Sequence, residues 1–400
     1  MDSFLDSIKY ITDTYGTRIT GTEADRKTCK YIEEEFRSLS SNVEVETFPV
    51  VGRALQNLIL FLVWGYFISV VAYFFIPFLA LVLALVMLLI YYLARFKDKN
   101  LVNLLTKKSS SSNIIVKFEP VNEKKKIVIF SGHHDSAFHM PLFEKRISQI
   151  TFIQNSAIAG IALLVIAAIW KSIFFLAPVV GIFKVFSYSI GSLVVDWLLL
   201  PDLIFLLALI GLGFGFYFMA NMVTNTPVMG ANDNLTSVVM LFALGKHLKK
   251  NPPKNIEIRL ASFGAEEPGL VGSKHYVDKR IDELKDAINI NYETLGSGKL
   301  GVIAKEKDNN VVHDNELVIY LHDLAEKHGF DLPAKQIHFG NTDAGSFSKK
   351  NISATTIFAF GNNDVFDLWH STEDVVENLD EQLLQQAFEL TIKILEELDK

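Results

Sequence analysis

The chain has 400 residues, is 50% hydrophobic, and carries a formal charge of −7 with a mean hydropathy of +0.27. That is too apolar for a soluble protein with one core, so part of it is expected in a membrane. The acidic balance, without a long basic tract, argues against a nucleic-acid partner, and a single cysteine, Cys29, excludes a disulfide framework.

The opening MDSFLDSIKYITDTYG is polar and amphipathic, so no secretory signal is expected in it. Phe4, Leu5, Ile8 and Ile11 predict a surface helix over 2–14; Tyr31, Ile32 and Phe36 predict another over 22–39, with Thr22 as its N-cap. Alternation over 43–48 predicts a half-buried strand. Residues 54–94 hold no charge and have Pro77 near their middle, which fits two spans of about 20 residues in a hydrocarbon core roughly 30 Å thick. In such a hairpin Arg53 and the group Arg95, Lys97 and Lys99 share one face of the bilayer. KKSSSS at 107–112 is expected as a flexible connector, followed by strands at 114–118 and 127–130. The second is a continuous apolar run suited to a strand covered on both faces, its C-terminal end opening into a ligand crevice.

A second apolar block covers 149–225, with spans expected at 151–170 and 203–223. Lys184 would fall near the centre of any single span through 173–195, at a cost of at least about 2.5 kcal/mol. An odd number of spans would also divide the flanking polar domain between two compartments. The expectation is therefore two spans plus a re-entrant or interfacial segment, with four spans in the block as the alternative. Beyond it, Val238, Val239, Leu241, Phe242 and Leu248 mark a helix that Pro252 and Pro253 end. Strands are predicted at 256–263, 287–293 and 354–360, and helices at 315–327 and 381–398. Strands alternating with helices imply a sheet with helices on both faces. The resulting division is 1–53, 96–148 and 226–400 as three parts of one catalytic domain, with 54–95 and 149–225 as membrane insertions.

Five motifs in the polar parts carry chemistry. SGHHDS at 131–136 places His133 and Asp135 at a strand end, where alternate side chains point the same way. A neutral imidazole binds zinc, and a carboxylate two residues on can orient it. Asp233 lies on a Gly-rich turn ahead of an apolar helix, where a carboxylate can bridge two ions or cap the helix. In GAEEPG at 264–269, Glu266 and Glu267 face different directions, as a hydrolase needs when one carboxylate binds metal and the other takes a proton from water. Glu293 ends a strand in NINYETLG, and His370 stands in WHSTED at 369–374.

The ordered set resembles the M28 family of zinc peptidases, mostly aminopeptidases, and TDAGSF at 342–347 resembles that family's pocket-forming segment. The resemblance covers the polar segments and none of the membrane ones. It implies an α/β fold: a three-layer α/β/α zinc-peptidase domain with a mixed, mainly parallel sheet, into which transmembrane helices are inserted. It also implies two Zn2+ ions, one held by His133 and Glu293 and the other by Glu267 and His370, with Asp233 bridging. Glu266 would then be the general base, and Asp135 would support His133. Glu293 stands where the family most often has an aspartate, and Asn232 where it commonly has another acid. His134 and His139 read as spacers or pocket wall.

The function expected is a membrane-bound dizinc aminopeptidase acting on peptides through metal-activated water, with its catalytic domain in the cytoplasm. The alternatives are a non-catalytic receptor or adaptor of the same fold, and single-zinc glutaminyl cyclase chemistry. The tether from Asn225 to Asp233 reaches at most ~29 Å at roughly 3.6 Å per residue. That suggests a site near the lipid bilayer receiving apolar or membrane-derived peptides, with HMPLF at 139–143 as an apolar wall.

Overall fold

A computed structural model describes residues 3–97, 99–180, 187–190, 193–196, 199–361 and 366–400. Helices α1 (Phe4–Tyr15) and α2 (Glu23–Leu39) lead to strand β1 (Val43–Val50), then α3 (Ala54–Phe75), α4 (Pro77–Phe96), β2 (Ser109–Phe118) and β3 (Lys126–His133). Next come α5 (Pro141–Val180), β4 (Ser187–Ile190), β5 (Leu193–Asp196), α6 (Leu199–Met222), α7 (Thr236–Lys250), β6 (Ile256–Phe263), α8 (Val271–Lys279) and β7 (Ile288–Glu293). The chain closes with β8 (Lys299–Glu306), β9 (Val311–Val312), α9 (Asn315–Lys327), β10 (Ala334–Ile337), α10 (Ala344–Ser348), β11 (Ser353–Phe360) and α11 (Glu381–Leu398).

Two units emerge: Met1–Arg53, Lys107–His139 and Asn225–Lys400 form the first, Ala54–Thr106 and Met140–Thr224 the second. The sequence reading drew two of these borders at 95/96 and 148/149. They fall elsewhere because a short turn of helix, Leu101–Leu105, packs on α3 and α4, and because α5 begins at Pro141, before its apolar stretch.

The first unit is built on a sheet of order β1-β2-β6-β3-β7-β11-β8-β10, with β9 on β8. Its four central strands, β6, β3, β7 and β11, run parallel, and antiparallel pairs flank them. Alternation in β3 shows why helices cover both faces. Val128 and Phe130 enter a core with residues of α1, α2, α7, α9 and α11, while Ile127 and Ile129 enter another with Tyr276 and Val277 of α8 and Phe347 of α10. Each such buried side chain contributes roughly 1.5–3 kcal/mol. Caps set the helix starts: the Thr22 hydroxyl accepts from the Asp25 N–H at 3.3 Å, and Asp314 and Asp380 cap α9 and α11.

The expectation of a flexible 107–112 connector is corrected, because Ser109–Ser112 pair with Thr47–Val50 as the start of β2. A sheet ladder uses main-chain groups and needs no apolar side chain. The serines are further held by Thr47 Oγ1 to Ser112 Oγ at 2.9 Å and Ser111 Oγ to Asp25 Oδ1 at 3.4 Å.

Among the described residues of the second unit four helices are long and apolar enough to cross a membrane: Ala54–Phe75, Pro77–Arg95, Gln149–Ile173 and Leu200–Met222. Pro77 starts α4, where a missing N–H costs nothing. Helices α5 and α6 meet at Gly160 and Gly211. A Cβ on either glycine would lie 2.5 Å from backbone of the other helix, so only small residues permit this approach. Lys171 Nζ is 2.8 Å from Asp202 Oδ1, which also accepts the Tyr73 hydroxyl at 2.9 Å, so the charges near these helix ends are paired. Of the expected re-entrant stretch, 181–186 with Lys184 and 191–192 lie outside the described residues, while β4 and β5 form an antiparallel hairpin.

Candidate metal centre

Strand ends and the turns after them bring the predicted residues together. His133 closes β3 and Glu293 closes β7, and Glu266 and Glu267 follow β6. Because neighbouring residues of a strand face opposite ways, His133 points to the side of Ser131, Asn289 and Asn291, a buried polar row in which Ser131 Oγ donates to Asn291 Oδ1 at 2.9 Å. His134 points to the other side. Asp233 sits on a turn that Gly230 opens with φ of 65°. A Cβ at Gly230 would stand 2.5 Å from Asp233 O and 2.9 Å from Arg18 Nη2, so the turn requires glycine. The Asp233 side chain makes no cap to α7. It is turned into the site instead.

There its two oxygens face different histidines. Oδ1 is 3.2 Å from His133 Nε2, and Oδ2 is 3.3 Å from His370 Nε2. Each imidazole has its own glutamate: Glu293 Oε1 is 3.2 Å from His133 Nε2, and Glu267 Oε2 is 3.1 Å from His370 Nε2. Two half-sites of one nitrogen and one carboxylate thus share a central carboxylate. All five residues are buried or nearly so. Asp233 Oδ2, Glu267 Oε1 and Glu293 Oε2 make no hydrogen bond of good geometry among the described residues, as atoms reserved for cations would not. The nitrogen and oxygen donors suit zinc.

The electrostatics reflect this crowding. Burial works against a charged imidazole at His370, but Glu267 and Asp233 outweigh it and push it up to about 10. Burial raises Glu293 to about 8 against the opposing pull of His133. At Glu266 burial, offset in part by His133 and reinforced by Glu267, Asp343 and Glu293, raises the carboxyl well above its usual range. Its Oε2 lies 3.9 Å from His133 Nε2, and its carboxylate groups with His133 and Glu267, one residue of each half-site.

Asp135 stands beside His133, as the sequence expectation has it, and has further partners. Its carboxylate is 3.6 Å from His133 Nδ1, too far for a hydrogen bond, and the nearer acceptor is its own carbonyl at 3.2 Å. The carboxylate also accepts the Glu266 and Glu267 N–H groups at 3.0 and 3.2 Å and the Thr20 hydroxyl at 2.6 Å. It positions the Glu266–Glu267 turn. Asn232 holds backbone, accepting Gly296 N–H at 2.7 Å and donating to Asp367 O at 3.1 Å.

Three further residues shape the site: Arg18 and Asp374, assigned no role from sequence, and Asp343, which lies in the 342–347 segment. Fully buried Arg18 donates to His134 O and Met229 O at 2.8 Å and to Gly230 O at 2.7 Å, tying the end of β3 to the Asp233 turn. Asp374 accepts from the Asn232 and Asp233 N–H groups at 2.5 and 3.1 Å, and burial, with the charge of Asp233, raises it to about 7. Asp343, within the 342–347 segment, has both oxygens buried without a hydrogen bond among the described residues, and burial raises it to about 6. Its Thr342 neighbour is fixed by N–H and hydroxyl donation to Glu306 Oε1 at 3.0 and 2.7 Å. The spacing of TDAGSF was the one signal available for Asp343.

Residues 217–395 match Peptidase family M28. Aminopeptidase YwaD of Bacillus subtilis strain 168 is 34% identical over 170 residues, 40% of this chain and 36% of that protein. The probable lipoprotein aminopeptidase LpqL of Mycobacterium tuberculosis is 34% identical over 87 residues, 21% of this chain and 17% of its own. The chain therefore spans about a third or less of the length of these curated relatives. Among solved structures, BSAP, a zinc aminopeptidase from Bacillus subtilis, superposes with a TM-score of 0.57 at 18% identity, covering 100% of this chain and 95% of that one. A glutaminyl cyclase from an Acidobacteriales bacterium gives 0.55 at 12% identity, covering 99% of this chain. At such identities the superpositions establish the shared fold. Residues 217–395 add a sequence match to Peptidase family M28, the family of zinc peptidases that the ordered site residues resemble.

Proposed function

We propose that the chain is a membrane-bound, dizinc aminopeptidase that removes N-terminal residues from peptides. The observation carrying this reading is Asp233, whose two oxygens lie 3.2 and 3.3 Å from two histidines that each have a separate glutamate partner. His133 and Glu293 would hold one ion and Glu267 and His370 the other, with Asp233 shared. Such a pair supplies Lewis acidity toward a peptide carbonyl and a water of lowered pKa. Glu266, beside both half-sites, would act as the general base that accepts a proton from the attacking water and passes it to the leaving amine. Asp135 keeps Glu266 and Glu267 in register through their N–H groups. Asp343, buried beside them, would receive the substrate's free ammonium group.

Four apolar helices support membrane association. The excess of Arg53, Arg95, Lys97, Lys99, Lys145 and Arg146 over Lys171 and Lys184 supports a cytoplasmic site. Asn234, in an Asn-Leu-Thr sequon, is buried with its amide donating to Tyr292 O at 2.9 Å, an environment in which a glycan has no room. The short covalent tether between the last span and Asp233 supports apolar or membrane-derived peptides as substrates. Glutaminyl cyclase chemistry is the second reading, favoured by the shared fold. Elemental analysis together with aminoacyl reporters and an N-terminal glutaminyl peptide separates the two. Two ions in the centre with release of N-terminal residues supports the proposal; one ion with cyclisation and no cleavage overturns it.

A further inference from the structure

A second cluster of metal-binding side chains lies across the end of β3 from the first. Cys29 of α2, Asp25 one turn earlier, and His134 bring three ligand atoms together. Cys29 Sγ is 3.2 Å from His134 Nε2 and 3.7 Å from Asp25 Oδ1, and the last two atoms are 3.7 Å apart. Tetrahedral zinc, with Zn–S near 2.3 Å and Zn–N and Zn–O near 2.0–2.2 Å, separates its ligand atoms by roughly 3.3–3.6 Å. The triangle's edges of 3.2, 3.7 and 3.7 Å bracket that range, so closing on an ion needs shifts of a few tenths of an ångström. Asp25 and His134 are fully buried and Cys29 is 7% exposed.

Hydrogen bonding leaves the triangle short of protons. His134 Nδ1 is 2.9 Å from Ser262 Oγ, and an N–H directed there leaves Nε2 as a lone pair facing the thiol. The far-nitrogen bond is the arrangement that fixes a metal-binding imidazole. One thiol proton then lies among three lone-pair atoms; the Gly21 N–H donates to the other Asp25 oxygen, Oδ2, at 2.7 Å, and the Ser111 hydroxyl is 3.4 Å from Oδ1. Space is kept by Gly264, where a Cβ would come 2.5 Å from Ser111 Oγ and 3.1 Å from His134 Nε2. The charges also close: a thiolate, a carboxylate and a neutral imidazole balance one divalent cation.

We propose that Asp25, Cys29 and His134 form a further metal site for a zinc-class divalent ion, distinct from the Asp233 centre, with Ser111 Oγ beside the fourth position. Binding exchanges the thiol proton for the ion and releases the proton to solvent. The ion ties α2 to the ends of β2, β3 and β6, which carry Ser111, His134 and Ser262. Its role is structural, since the site is closed to solvent.

The single cysteine of the chain makes the test selective. The full-length protein in detergent is loaded with Co2+ alone. A thiolate-to-cobalt charge-transfer band in the near ultraviolet is expected, because the Asp233 centre has no sulfur ligand. Cys29→Ser should lose that band and one ion per chain while keeping the visible cobalt bands. Asp233→Ala should keep the thiolate band, which separates this site from the other. Should Cys29→Ser fail to fold by circular dichroism, the wild-type spectrum and His134→Gln, which retains the thiol, still decide. Saturating Co2+ without a thiolate band overturns the proposal, as does equal metal content in a folded Cys29→Ser variant.

Discussion

Glu266→Gln separates proton transfer from metal holding more cleanly than any other change in the site. The substitution is isosteric. Among the described residues the Glu266 carboxylate makes no hydrogen bond, its nearest charged contact being His133 Nε2 at 3.9 Å. The anchor of its turn is the main-chain N–H on Asp135 Oδ1, which the variant keeps. Stability should therefore change by no more than about 0.5 kcal/mol, and both half-sites, whose contacts run through Glu293, Glu267 and Asp233, should keep their ions. Loss of a general base typically removes 10²–10⁴ in rate, equivalent to about 2.7–5.4 kcal/mol at the transition state. A continuous aminoacyl-reporter assay with elemental analysis of the same preparation reads both quantities. The expected result is a kcat reduced at least about 100-fold with KM and metal content near wild type. A variant with more than a tenth of wild-type turnover, or one that has lost an ion, would refute the division of labour between Glu266 and Glu267.

The metal-stripped protein should become less stable as pH rises from about 6 to 10. His370, raised to about 10 from an unfolded value near 6.5, contributes stability present below 6.5 and lost as pH passes 10; Glu293 and Asp374, raised to about 8 and 7, act in the same direction. Zinc loading needs these ligands deprotonated and should strengthen with pH, so a chelated sample whose Tm rises over this range would contradict the assigned environment. Arg18→Met should cost about 2–6 kcal/mol, since the buried carbonyls of His134 and Gly230 lose their donor at about 1–3 kcal/mol each; an unchanged thermal midpoint would rule out the clamp. In sealed vesicles of known orientation, protease should reach the 226–400 segment only from the cytoplasmic side, and cleavage from the opposite side would reverse the topology.

Elements with strong periodicity and clear caps were legible in the sequence: the predicted 315–327 and 381–398 helices coincide with α9 and α11. The 256–263 strand coincides with β6, buried along its whole length although Glu257 and Arg259 alternate with its apolar residues and pair with each other at 2.6 Å. Serines 109–112 were opaque because their pairing with β1 is a main-chain event. At the site, the five predicted ligands stand out by residue type, three of them (His133, Glu267 and Glu293) by their place at or just after strand ends and Asp233 by its Gly-rich turn. Arg18 gives no such signal. Its partners are main-chain carbonyls 116 and 212 positions away, and a carbonyl has no letter in a sequence. The His-x-Asp spacing points to Asp135 as a neighbour of His133 but does not reveal that its carboxylate also accepts the N–H groups of Glu266 and Glu267.

The central claim is that Asp233 joins two ions, and the most direct test is the zinc content of Asp233→Ala against the wild type, purified in parallel and loaded to saturation. Removing a shared carboxylate leaves each half-site with one imidazole and one glutamate, too few donors to retain zinc through desalting. The variant is predicted to hold two fewer ions per chain than the wild type while remaining folded by circular dichroism. A folded variant that keeps both ions, or loses only one, would contradict the bridged centre.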